Sequence, residues 1–93
     1  MTIGLLQMDL LLRSPQSLKD KRSLISRIKN QVRAKFNVAI AELEYGDQYR
    51  RCLLGVTTLS NESSIVQQIL SEVEKLIERT FEVQLIDSKM EMM

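Results

Sequence analysis

The chain opens with apolar side chains at alternate positions. Between residues 3 and 13 one set of alternating positions is wholly apolar, whereas the other mixes leucine with polar residues. Successive side chains of a β-strand point to opposite faces, so this spacing predicts a strand over 3–13 with one face in a core. Ser14-Pro15-Gln16 then breaks the pattern, because proline cannot donate a hydrogen bond within a central strand.

A period of about 3.6 residues replaces the alternation after this break. Apolar residues from Leu18 to Phe36 fall on one broad face, which predicts a helix over 17–36. Ser17 and Asp20 stand three residues apart at its start. Their spacing resembles a capping box, in which each side chain accepts a hydrogen bond from a free backbone N–H.

The rest of the chain predicts three more strands and one more helix. The strands span residues 38–45, 49–58 and 81–90, and Gly46-Asp47 is the expected turn between the first two. The helix lies between the last two strands and ends near residue 80. Its cap is expected at Ser60 or Asn61, and the final methionines are expected to fray.

The predicted order is therefore β-α-β-β-α-β within one domain, residues 1–93, since a chain of 93 residues supports a single core. Two helices with right-handed crossovers cover one face of a four-stranded antiparallel sheet, which is the ferredoxin-like α+β fold. The other face stays open. Its apolar residues predict self-association, for which we select Leu5, Leu11, Leu53 and Ile86; scattered exposed apolar residues are the alternative interpretation.

Charge changes this picture in one segment. The chain has 13 basic and 12 acidic residues, yet residues 17–36 contain seven of the basic residues and Asp20 alone among the acidic ones. Basic side chains along a helix are typical of contacts with nucleic-acid phosphates. The candidate anion-binding residues are Lys19, Lys21, Arg22, Lys29 and Arg33.

Two alternatives remain open for these cations. They could pair with the acidic second helix of the same or a neighbouring subunit, in which case they form an ordinary charged surface. Near the helix start, Lys21 and Arg22 could instead be held by Asp9, Glu42 or Glu44. The competing hypothesis is a phosphate bound there by side chains and free N–H groups.

Composition gives little support to catalysis or to metal binding. Histidine is absent and Cys52 is the only cysteine, so the usual general base, the usual metal ligands and a disulfide are missing. Cys52 is expected in the core. Glu42 and Glu44 are predicted on one strand face, as a carboxylate pair or as a solvated edge. We expect a non-enzymatic protein without cofactor or metal.

The expected location is the cytoplasm. A basic leader, an apolar span of membrane length and a second cysteine are all missing from this sequence. We therefore expect no insertion into a membrane and no secretion.

Three stretches carry a resemblance to a known family. They are residues 17–23 (Ser-Leu-Lys-Asp-Lys-Arg-Ser), 35–42 (Lys-Phe-Asn-Val-Ala-Ile-Ala-Glu) and 54–56 (Leu-Gly-Val). Together they resemble the bacterial YlxP-like family, a domain of unknown function, over essentially the whole chain. The resemblance implies a ferredoxin-like fold, no established catalysis, and genomic association with translation-initiation and ribosome-maturation factors. The expected partner is therefore ribosomal RNA or the ribosome, and the alternative is a self-associating module, a homodimer.

Overall fold

The computed structural model describes residues 1–93 and contains four strands and two helices. In chain order they are β1 (Thr2–Leu12), α1 (Leu18–Lys35), β2 (Ala39–Glu44), β3 (Arg51–Ser60), α2 (Ser63–Thr80) and β4 (Val83–Met92). The strands form one antiparallel sheet in the order β2-β3-β1-β4. The predicted ferredoxin-like α+β fold is thus confirmed.

The hydrophobic core lies between the sheet and the two helices. In β1 every second side chain is fully buried, as the alternation predicts, and the other set is half-buried on the open face. The core side of β3 consists of Cys52, Leu54 and Val56, also as predicted. Both central strands therefore direct one row of apolar side chains under the helices, which fixes the face that the helices cover.

The cap of α1 forms with one change from the expected capping box. Ser17 Oγ accepts a hydrogen bond from the Asp20 N–H at 3.0 Å, as predicted. The Asp20 carboxylate accepts from the N–H of Gln16, at 3.1 Å, rather than from that of Ser17. The predicted caps of α2 are wrong, because its N-cap is Glu62, which makes no side-chain capping bond.

The carboxyl end of β4 is paired, so the predicted fraying is wrong. β1 begins at Thr2 and offers a partner beyond the expected end of β4. Ile3 and Met93 consequently exchange two backbone hydrogen bonds, of 3.2 and 2.7 Å.

A bulge in β2 separates two carboxylates that the sequence places together. Glu42 pairs with Leu54 and Glu44 pairs with Leu53, which leaves Leu43 as the extra residue. Leu54 is a core residue and Leu53 is on the open face. Glu42 therefore lies on the helix-covered face and Glu44 on the open face, so the predicted placement of both on one strand face is wrong.

Candidate nucleic-acid interface

Four of the five candidate cations lie together along one side of α1. With 100° between successive residues, Lys19, Arg22, Lys29 and Arg33 fall within roughly 80° of one another around the helix axis. We call these four residues the cationic edge. Arg33 also lies beside β2, since its Nη2 is 3.4 Å from the carbonyl oxygen of Ile40. The cationic edge therefore follows the side of α1 next to the edge strand of the sheet.

The cationic edge has no carboxylate partner within the chain. The structure contains two ion pairs, Lys21 with Glu42 and Arg51 with Asp9, and neither involves these four residues. Three of the four side chains are exposed and Lys29 is half-buried. The contact from Arg33 to Ile40 is long for a hydrogen bond. Pairing with the acidic side of α2 in the same chain, one of the two predicted alternatives, does not occur.

Lys21 does not belong to this surface, which corrects the prediction for that residue. The residue is only 1% exposed as a whole, because position 21 is on the core side of α1. Lys21 Nζ lies 2.6 Å from Glu42 Oε2 and 2.5 Å from the carbonyl oxygen of Tyr45. The alternative in which a strand carboxylate holds Lys21 is therefore the one that the structure shows.

The ammonium of Lys21 belongs to a buried polar cluster beneath the first turns of α1. Glu42 Oε2 is buried and has Lys21 as its partner through an ion pair, without an aligned hydrogen bond. Burial and the nearby Glu42 carboxylate raise the pKa of the Cys52 thiol to about 12. The thiol therefore stays protonated and is a poor nucleophile, which agrees with the predicted core role of Cys52.

Tyr45, whose carbonyl accepts from Lys21 in this cluster, has an unusual backbone conformation. Its φ is 69°, in the left-handed region that non-glycine residues seldom adopt. The same carbonyl that accepts from Lys21 also accepts from the N–H of Gln48, at 3.0 Å, and so forms the turn predicted at Gly46-Asp47. The loop after β2 is thus tied directly to the start of α1.

The start of α1 leaves little room for the phosphate site envisaged there. The N–H of Asp20 donates to Ser17, and the Asp20 carboxylate already supplies a negative charge, which the helix N-terminus stabilises. The ammonium of Lys21 already forms an ion pair with Glu42. Lys19 and Arg22 remain exposed, so a bound anion would depend on their side chains.

The residues selected for self-association do not form one patch. All four lie on or beside the open face, but Leu11 pairs with Arg51 and Leu53 pairs with Asp9. Arg51 and Asp9 form an ion pair of 2.8 Å, so two charges lie between the two leucines. Ile86 is the extra residue of a bulge in β4.

A more continuous apolar patch lies beside β2 and includes one of the four selected residues, Leu5. Leu43 rests on Gly55, whose missing side chain leaves the space, and it borders a pocket of about 180 Å³. Leu59 is the most exposed of the nearby apolar residues at 65%. We call Leu5, Ala39, Ala41, Leu43 and Leu59 the apolar patch. The alternation from Ala39 and Ala41 already places Leu43 on the open face, and the bulge brings Glu44 to that face as well.

His, Cys, Asp and Glu side chains do not converge in groups of three or more that could hold a metal ion. Neither helix combines the length and the apolar character needed to cross a bilayer.

Comparison with known proteins gives the chain a family. Among solved structures it is similar to the de novo designed protein Ferredog-Diesel, with a TM-score of 0.50 and 12% identity over 98% of this chain and 84% of that one. It is 32% identical to the uncharacterized protein YlxP of Bacillus subtilis (strain 168), over 84% of this chain and 96% of that protein. Residues 3–90 match the family described as "Protein of unknown function (DUF503)". The chain therefore belongs to the DUF503 family, and the resemblance to YlxP is confirmed.

Proposed function

We propose that this protein is a non-enzymatic accessory domain that binds RNA through phosphate contacts made by the cationic edge of α1. The observation that carries the proposal is the lack of any carboxylate partner for Lys19, Arg22, Lys29 and Arg33. Unpaired cations on a regular helix are free to neutralise the phosphates of a backbone and to release its counterions.

The dimensions of the cationic edge suit several phosphates. Lys19 and Arg33 are 14 residues apart, which corresponds to about 21 Å along the helix axis. A partner that spans this distance would meet up to four cations in a row. Phosphate contacts of this kind give affinity and orientation without selecting a sequence.

Two acidic residues of α2, Glu74 and Glu78, do not oppose this interaction, because they face the β4 side of the molecule. The hydroxyl of Ser88 in β4 donates to Glu74 Oε1, so Glu74 lies on the β4 side of α2. Glu78 borders the same side, near Arg13 and Gln84. Although the total charge is close to zero, positive and negative side chains therefore lie on different sides of the molecule, with unpaired cations on α1 and carboxylates beside β4.

The finer assignment, to ribosomal RNA or the ribosome in the cytoplasm, rests on the family. The YlxP-like resemblance implies genomic association with factors of translation initiation and ribosome maturation, and the chain shares 32% identity with YlxP. Support for a non-enzymatic role comes from the lack of histidine and from the protonated state of Cys52.

Filter binding of structured ribosomal RNA at several salt concentrations tests this proposal. The logarithm of the binding constant should fall linearly with the logarithm of salt, with a slope of about −0.9 for each phosphate contacted, hence roughly −3 to −4. Combining Arg22→Glu, Lys29→Glu and Arg33→Glu should abolish binding. Binding that is insensitive to both salt and these substitutions would refute the proposal.

A matched control makes the same change in charge elsewhere. Arg13, Arg50 and Lys89 are exposed and lie outside α1. If Arg13→Glu, Arg50→Glu and Lys89→Glu together reduce binding as strongly as the α1 triple variant, then general charge explains the binding and the cationic edge is not a specific site.

A homodimer formed through the apolar patch is a second candidate. The pocket beside Leu43 is lined by Leu5, Ala39, Ile40, Ala41, Leu43, Gly55 and Thr57, none of them charged. Leu59 projects from the same area, so one copy could insert this leucine into the pocket of the other around a twofold axis without burying a charge.

Sedimentation as a function of concentration tests the homodimer. Leu59→Asp should convert a dimer into a monomer, because it places a charge within the uncharged contact. Ile65→Asp is the matched control, since Ile65 is an exposed apolar residue on α2. A wild-type mass that stays monomeric at all concentrations would eliminate this candidate.

A further inference from the structure

A second group of cations lies between the two helices and was not among the predicted site residues. Lys35, Lys75 and Arg79 line a cleft of about 490 Å³ together with Phe36 and Glu72. None of these charged residues takes part in an ion pair. We call Lys35, Lys75 and Arg79 the interhelical cluster. It retains excess positive charge, because Glu72 is the only carboxylate in the cleft.

The interhelical cluster and the cationic edge lie on different sides of α1. Arg33 is near β2, as its contact with Ile40 shows, whereas Lys35 faces the cleft against α2. Residues two positions apart on a helix are rotated by about 200° from each other, so Arg33 and Lys35 point in nearly opposite directions. The exposed crest of α1 therefore runs between two rows of cations.

Ordinary helix dimensions place these two rows about one helix width apart, which is comparable to the width of a groove bounded by two phosphate strands. An α-helix with its side chains is about 10–12 Å across, and neighbouring helix axes are about 8–10 Å apart. Grooves of comparable width, about 12 Å in the major groove of B-DNA, admit a helix, and the minor groove of A-form RNA is wide and shallow. A duplex thus offers two phosphate rows at the right separation, whereas a single strand offers one.

We propose that the ligand is an RNA duplex, with α1 seated along its shallow groove, one strand on the cationic edge and the other on the interhelical cluster. This inference rests on the proposed function and specifies its substrate class. Ser23, Asn30 and Gln31 are exposed on the crest between the two rows. Their hydroxyl and amide groups can exchange hydrogen bonds with the 2′-hydroxyls that line this groove.

The aromatic residues favour a duplex over a single strand for the same surface. Proteins that bind single strands stack bases on exposed aromatic side chains. Here Phe81 is buried, Tyr45 is covered by the guanidinium of Arg51, and Tyr49 lies in the loop before β3 beside Arg50. Phe36 is half-buried in the floor of the cleft. The crest of α1 itself carries no aromatic residue, so recognition there would depend on the backbone of the nucleic acid.

The experiment compares two RNA probes and one pair of substitutions. The probes are a duplex of roughly 16 base pairs, a length that spans successive grooves, and one of its strands alone. Lys75→Glu with Arg79→Glu removes two of the proposed phosphate contacts. For the duplex, the salt slope should become shallower by about two and the affinity should fall at least about tenfold. Binding of the single strand, which is weaker, should change little.

A matched variant and a stability measurement keep the test decisive. Arg13→Glu with Lys89→Glu changes the charge equally away from the helices and should leave duplex binding within about twofold. Urea unfolding midpoints should stay close to wild type, because all four substituted residues are exposed.

The outcomes separate this inference from the proposed function. If the α1 triple variant loses binding while Lys75→Glu with Arg79→Glu leaves the duplex affinity and salt slope unchanged, the inference is wrong and the proposed function stands. Equal affinity for the duplex and the single strand, or for a DNA duplex of the same sequence, also refutes it. If wild type binds neither RNA probe nor structured ribosomal RNA, the proposed function fails as well.

Discussion

The two faces of the sheet each carry one ion pair, and the two pairs have different consequences. On the helix-covered face, the side chains of Lys21 and Glu42 are 2% and 25% exposed. On the open face, those of Arg51 and Asp9 are 34% and 19% exposed. The covered pair joins α1 to β2, whereas the open pair joins neighbouring strands that the sheet already holds together.

Whether a charged side chain is buried or exposed therefore determines if it holds the fold together or stays accessible to a partner. Lys21 and Arg22 are adjacent in sequence. The ammonium of Lys21 is buried in the ion pair that joins α1 to β2, whereas Arg22 stays exposed. The buried pair positions the helix, and the exposed cations on its outer side are then available to a partner. Substitutions that affect one face and spare the other test this difference between the two pairs.

The largest effect is expected on the covered face, from Glu42→Ala. This change leaves the Lys21 ammonium buried with the carbonyl of Tyr45 as its remaining partner. Removing one member of a buried ion pair costs about 3–5 kcal/mol. The free energy of unfolding in urea measures the loss. Glu44→Ala, two residues along on the open face, is the control and should change stability by less than about 0.5 kcal/mol. Equal effects of the two variants would show that Lys21 and Glu42 contribute no more than a surface pair.

Some of these features follow from patterns within single elements of the sequence. The alternation in β1 and the apolar stripe of α1 are local patterns, and each determines which side chains face the core whatever the rest of the chain does. Element order followed from such patterns, and so did the topology. The basic character of α1 is equally local, which is why Lys19, Arg22, Lys29 and Arg33 could be selected from sequence.

The remaining features depend on contacts between distant segments. Lys21 reads as one more cation of a basic helix, and only the packing of α1 on β2 brings it to Glu42, which the alternation of β2 places on the covered face. The interhelical cluster joins Lys35 to Lys75 and Arg79, which are 40 or more residues away. No periodicity within one element encodes these juxtapositions, since they depend on how the helices pack.

Replacing a glycine on each face by alanine should give a smaller difference in unfolding free energy between the two faces. A methyl group on Gly4 would clash with Val66 Cγ1 and would lie 2.8 Å from Leu70 Cδ1, and both are core side chains of α2. A methyl group on Gly55 would meet Leu43 Cδ1 at 2.6 Å, but Leu43 is 49% exposed and can rotate away. Gly4→Ala should therefore cost about 1–3 kcal/mol by overpacking.

Gly55→Ala provides the matched open-face measurement. Alanine loses less backbone entropy than glycine on folding, by about 0.5–1 kcal/mol, and this gain offsets the displacement of Leu43. Its unfolding free energy in urea should stay within about 1 kcal/mol of wild type. If Gly55→Ala is as costly as Gly4→Ala, then Leu43 is fixed and the apolar patch is more rigid than its exposure indicates.

The smallest effect concerns the open-face pair and appears only in its dependence on pH. The hydrogen bond from Arg51 holds the pKa of the Asp9 carboxyl below its ordinary value. A carboxyl whose folded pKa is depressed adds stability above its unfolded pKa, about 3.9, and this contribution disappears as the pH falls through the folded value. The stability difference between wild type and Asp9→Asn should thus be present at pH 6 and vanish toward about pH 2. It should also shrink in high salt, because exposed pairs are screened.

Asp87→Asn is the control for this measurement, since Asp87 lies opposite Asp9 in β4 and makes no ion pair. Like charges directly opposite each other in a sheet destabilise it, so this variant should be slightly more stable than wild type near neutral pH. Opposite signs for the two asparagine variants would assign the pH dependence to the Arg51 contact. The same sign for both would mean that total negative charge on the open face, and not the ion pair, determines its acid stability.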